Sequence, residues 1–214
     1  MLNGGIGNQL FSYSAARRLS IVNGFELIVD NTSGFERDYK YRRQYQLDCF
    51  NIFHRKATRF EKLEPFSRVR RKFIIEYNKF RSFKDRRYIV QNDMNFNPEL
   101  LQLRPSGNLH LSGYWQSEKY FKDIEHIIRN DLTIVPPTDD LNIRLGEKMS
   151  NYNSVAIHVR FFESINNDNS SNVTNGYYEN AIKEIQSRTN VDHYFIFSFS
   201  LFFLSFFFIV SLLS

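Results

Sequence analysis

Three short stretches of this chain carry residue types and spacings suited to chemistry. The first is Gly4-Gly5-Ile6-Gly7-Asn8-Gln9-Leu10-Phe11. Glycines let backbone N–H groups approach an anion, and a helix starting there aims its positive end at the same spot. Leu10 occupies the place of the third glycine in a dinucleotide-binding fingerprint, and no Gly-Lys-Ser/Thr follows, so neither that fingerprint nor a Walker loop is present. A tight turn ahead of a helix is the plainer alternative. The second stretch is His158-Val159-Arg160, closing an apolar run, with Glu163 three residues on. An arginine fork at a strand end suits phosphate oxygens. His158 alone reads more readily as a hydrogen-bonded core histidine than as a catalyst, and Glu163 alone as a solvated loop residue. The third runs from Leu111 to Phe121 and includes Gly113-Tyr114-Trp115-Gln116. Aromatics beside polar groups suit sugar stacking, and a core-anchoring Trp115 is an equal reading.

The elements that must position these residues follow an α/β pattern. Leu10, Phe11, Ala15, Leu19 and Val22 fall near helical spacing, predicting a helix from Asn8 to Asn23 that Gly24 ends. Phe25 to Asp30 reads as a short strand. Leu109 to Ser112 is a strand candidate, and Ser117 is a plausible cap for a helix running to about Asn130. Residues 1–135 are expected to form an N-terminal α/β half, with 136–150, opened by Pro136-Pro137, as a linker. From 151 to 198 a second unit begins: a buried strand from Ser154 to Arg160, a helix from Tyr177 to Arg188 and a strand from His193 to Ser198. Ligands of such sheets sit at the carboxyl ends of strands, where Arg160 stands.

The 214 residues carry a net charge of +5, which fits an anionic partner without choosing one. Nine cations between Arg68 and Arg87 face only Glu76 and Asp85. A solvated helix face is the plain reading and an anionic lipid or glycan surface the next. Nucleic acid is not expected, because no recognised binding module accompanies the charge. Cys49 is the single cysteine, which excludes a disulfide framework and a multi-thiolate metal site. No apolar leader follows Met1, and the glycine turn lacks the strand expected before it, so the start reads as clipped. The uncharged stretch 199–214, composed of Phe, Ser, Leu, Ile and Val, reads either as a shifted reading frame or as a membrane anchor. Membrane contact through this tail, with the rest cytoplasmic, is the expected localisation if the second reading holds.

Together the three stretches resemble the α-1,2-fucosyltransferases of glycosyltransferase family 11. That family opens with a strand and a GG-x-GNQ-x-F loop, matched from Gly4 to Phe11. It carries a GYWQSEKYF-type segment, matched from Gly113 to Phe121, and an H-x-R-R-x-D signature, matched by His158 and Arg160. Arg43 to Ile52, with Leu47 and Phe50, is also similar to the family pattern. The chain departs from the signature at Phe161, where a second arginine is expected, and at Glu163, where the family has Asp.

The resemblance implies two Rossmann-like, GT-B-like halves facing a cleft, the second incomplete here. It implies GDP-fucose as donor substrate, a galactoside acceptor and neither metal nor cofactor. Leaving-group charge would then fall to Arg and backbone N–H groups. Arg160 is expected on the β-phosphate with the loop of Gly5, Gly7, Asn8 and Gln9 nearby, and His158 positioning Arg160 or touching the donor. Transfer to the acceptor 2-hydroxyl would be a single inverting displacement with oxocarbenium character. A general base is required, for which Glu163 is a weak candidate.

Overall fold

In a computed structural model, which describes residues 1–159 and 173–198, the glycine turn opens directly into helix α1 (Ile6–Asn23). Gly24 ends it in the left-handed region at φ 65°, and the Phe25 N–H reaches back to the Ser20 carbonyl at 2.8 Å. The face α1 buries is as much hydroxyl and amide as hydrocarbon, with Gln9, Ser12, Tyr13, Ser14, Ala15, Leu19 and Ser20 all inside. Their polar atoms find partners within the protein: Ser14 Oγ donates to the Leu10 carbonyl and Ser20 Oγ to the Arg17 carbonyl.

The chain divides into two units, Met1–Val135 and Pro136–Ser214. In the first, α1 lies between two apolar clusters. Ala15 and Leu19 pack with Ile89, Leu100, Leu103, Trp115 and Tyr120; Tyr13 packs with Leu2, Leu27, Val29 and Leu47. Strand β1 (Ile28–Val29) pairs in parallel with β2 (Arg55–Lys56), and β3 (Tyr88–Val90) in parallel with β4 (His110–Ser112). The first residues tie the two pairs together, the Met1 ammonium donating to the Leu111 carbonyl at 3.0 Å and the Leu2 N–H to the Asp30 carbonyl at 3.1 Å. Helix α2 (Ser67–Asn78) connects β2 to β3. The stretch expected as one helix from Ser117 is instead two 3-10 turns, Glu118–Tyr120 and Lys122–Ile124, leading into α3 (Glu125–Asp131).

In the second unit the segment expected as a linker is helical over most of its length. Asp139 accepts from the Asn142 N–H at 2.9 Å and starts α4 (Asp140–Asn151). Strand β5 (Ser154–Val159) pairs in parallel with β6 (His193–Ser198), α5 (Asn175–Arg188) lying between them in sequence. The expected buried strand proves half exposed, since Ala156 and His158 face solvent and Val159 faces inward. Among the described residues no helix is long and apolar enough to cross a membrane. Stretch 199–214 lies outside them.

Candidate functional site

Gly4 must be glycine on two counts. Its φ is +76°, and a Cβ there would stand 2.7 Å from Asn8 Nδ2 and 2.9 Å from Tyr114 Cε1. Gly5, at φ −72° and ψ 172°, and Gly7 look onto open space, with no atom within 4 Å of a Cβ built on either. Helix α1 has no side-chain cap and no acidic residue in its first turn. Its first amide N–H groups and its positive dipole end therefore meet an open approach, the arrangement that accepts phosphate or another anion.

The turn is held from behind by Gln9, which is fully buried. Its Nε2 donates to the carbonyls of Gly4 and Gln44, at 3.0 and 2.9 Å, and its Oε1 accepts from the Gln46 N–H at 3.0 Å. With its amide committed to backbone, Gln9 positions the turn and is closed to a ligand, which corrects its expected place among donor contacts. The same clamp fixes the backbone next to Arg43, whose guanidinium lies 4.2 Å from the Tyr41 ring centre.

The Gly113–Phe121 stretch docks against this turn. Gln116 Nε2 donates to Asn8 Oδ1, and Ser12 Oγ lies 2.8 Å from both the Asn8 and Gly113 carbonyl oxygens. Gln91, at the end of β3, accepts the Tyr114 and Trp115 N–H groups on one amide oxygen, both at 2.9 Å. That holds Trp115 at φ 53°, a costly conformation for a bulky residue. Trp115 is 2% exposed and packs edge-on to Tyr120, so it anchors the core, and the half-buried Tyr114 is the aromatic beside the turn. Behind α1, Asp131 Oδ2 accepts from Tyr13 Oη at 2.7 Å and Arg17 Nε at 2.8 Å. Burial and that carboxylate push the Tyr13 hydroxyl far above its ordinary value, so it stays a donor.

Two of the three stretches thus meet in one place. A cavity of about 390 Å³ on this unit is lined by core side chains such as Leu19, Leu27 and Leu109 and leaves the glycine turn outside. His158 stands exposed on β5 of the other unit, in register with Phe197. Arg160 and Glu163 lie outside the described residues. Among the described residues no group of His, Cys, Asp and Glu is placed to hold a metal ion. Ser12, Gln91 and the Gln44–Gln46 backbone gave no signal in the sequence, because each acts through a contact made far along the chain.

Over 201 residues the chain is 24% identical to an alpha-1,2-colitosyltransferase of Escherichia coli, a match covering 92% of this chain and 67% of that protein. The chain is related to a glycosyltransferase. No family model matches it, and no solved structure does. That relationship implies a nucleotide-sugar donor, whose leaving group is anionic, and a glycan acceptor. An uncapped helix end reached through glycines suits the first, and the Tyr114 and Gln116 rim suits a polyhydroxylated ring.

Proposed function

We propose that this protein is a galactoside α-1,2-fucosyltransferase of family 11, built on two Rossmann-like, GT-B-like halves, that moves L-fucose from GDP-fucose to the 2-hydroxyl of a galactoside with inversion and without a metal. The observation that carries the reading is the junction of the Gly4–Phe11 and Gly113–Phe121 stretches through Asn8, Ser12, Tyr114 and Gln116. These are the segments on which the family resemblance rests, and the relative is itself an α-1,2-transferase. In this scheme the N–H groups at the start of α1 meet an anionic part of the donor. Arg160 neutralises charge on the departing GDP, and His158 steadies Arg160 or the donor. Fucosyl C1 breaks its bond to the β-phosphate oxygen as the acceptor oxygen attacks from the opposite face, the acceptor proton passing to a base.

Incubation of the chain with GDP-fucose and a β-galactoside, followed by NMR of the product, tests this. An α-1,2-linked fucosyl product that disappears with Arg160→Ala is expected; GDP-fucose consumed without such a product would refute the linkage. A colitosyl donor is the second reading, favoured by the relative's activity, and running both donors side by side decides the sugar.

A further inference from the structure

Helix α2 exposes an apolar row that Phe66 before it and Phe80 after it continue. Phe66, Val69, Phe73, Tyr77 and Phe80 recur at spacings of three and four residues and are 76%, 69%, 74%, 54% and 88% exposed. Its inward side mixes half-buried Ile74 and Ile75 with polar groups. Asn78 is buried and donates through Nδ2 to the Tyr88 carbonyl at 2.6 Å, while Arg71 reaches Asp30 Oδ2 at 3.3 Å and the Lys62 carbonyl at 3.1 Å. A continuous apolar row in the open marks a face that something covers.

Next to this row lies a basic pocket. A cavity of about 410 Å³ is lined by Phe80 together with Arg81, Lys84, Arg86, Arg87 and Arg104. Asp85, also on its wall, accepts from Ser82 Oγ at 2.5 Å. Among the described residues none of the five cations is ion-paired with a carboxylate. Arg81 and Arg86 instead lie over the Tyr77 and Phe83 rings, at 5.2 and 5.7 Å from their centres.

We infer that the outward face of α2 and this pocket together dock on an anionic lipid bilayer. Phe66, Phe73 and Phe80 enter the boundary between head groups and acyl chains, and Arg81, Lys84 and Arg87 receive lipid phosphates. Charge selects this occupant. A second copy, itself at +5, would set cations against cations, whereas anionic head groups neutralise the pocket beside the apolar row. The inference is independent of the sugar transferred.

Flotation of the full 214-residue chain with phosphatidylcholine vesicles, with and without phosphatidylglycerol, tests it. Binding only to the anionic vesicles, weakening as salt rises, is expected. The double variants Phe73→Ser/Phe80→Ser and Lys84→Gln/Arg87→Gln should each lower partition at least about tenfold. All four side chains are exposed, so the unfolding midpoint should not move. Both variants keep the uncharged stretch 199–214, so undiminished binding would overturn the inference by pointing to that stretch. Equal binding to neutral vesicles would overturn it as well. A dimer in the absence of lipid that Phe73→Ser/Phe80→Ser dissociates would give the face to a second copy and overturn it too.

Discussion

The two units handle their apolar residues differently. In Met1–Val135, α1 has a buried cluster on either side, the motif residues are locked by side chains such as Gln9 and Gln91, and Asp131 holds Tyr13 further along α1. In the described part of Pro136–Ser214, Val159 is the one hydrophobic residue classed as buried, and Leu141, Tyr152 and Tyr177 face solvent. The described elements of this second unit are one pair of strands, β5 and β6, and two helices, α4 and α5. A glycine turn clamped in advance can meet an anion without reorganising, which is what electrostatic stabilisation of a leaving group demands. His158 sits on a strand with far less packing to fix it. The contrast is one of packing: the glycine turn is held by buried side chains, while the described strands and helices of the second unit bury few apolar residues.

The hardest blow to that contrast is Asp131→Ala, which strips Tyr13 and Arg17 of their common partner behind α1. It should cost about 3–5 kcal/mol, read as an earlier urea midpoint of Trp115 fluorescence. Trp115 is the only tryptophan, so this signal belongs to the first unit. A change under about 1 kcal/mol would mean the carboxylate is not a keystone.

Matched truncations sharpen the comparison. Leu47→Ala, at a fully buried site, should cost about 3 kcal/mol, and Ile157→Ala on half-exposed β5 about 1 kcal/mol. Hydrogen exchange resolves the two units, and equal costs would erase the distinction.

Acid should weaken the first unit by way of His110, which stacks on Tyr88 with ring centres 5.4 Å apart. Burial first, then the Met1 ammonium and Arg71, hold His110 below its ordinary value of 6.5. The unfolded chain therefore takes up this proton before the folded one. Stability is complete above 6.5 and declines as pH falls from there towards the lower folded value. In His110→Gln that step should vanish from the pH dependence of the urea midpoint.

The smallest effect is the most selective. Gly7→Ala places a methyl in open space on a helix and should stabilise the first unit by about 0.5–1 kcal/mol. If the glycine is kept for backbone approach, the same change lowers donor affinity while stability rises.

Sequence patterning located α1, β4, α5 and β6 to within a few residues, because hydrophobic period and the Gly24 stop are local signals. It failed where polarity was inverted. The buried face of α1 is rich in hydroxyls, the outer face of α2 is aromatic, and the proline-led segment after Val135 becomes α4 once Asp139 caps it. The glycine turn and the Gly113 stretch were each legible as motifs. Their meeting through Gln116 and Asn8, 108 positions apart, belongs to tertiary structure alone, as does the demotion of Gln9 from ligand contact to clamp.

Titration of GDP-fucose into the full chain by calorimetry tests the central claim most directly, with Gly5→Val as the comparison. Valine fits the extended backbone of Gly5 and its Cβ falls in open space, so folding should be unchanged while its branches obstruct the start of α1. The account predicts saturable binding that GDP competes and that Gly5→Val weakens at least about tenfold. Absence of saturable binding, or equal affinity in Gly5→Val, would contradict it.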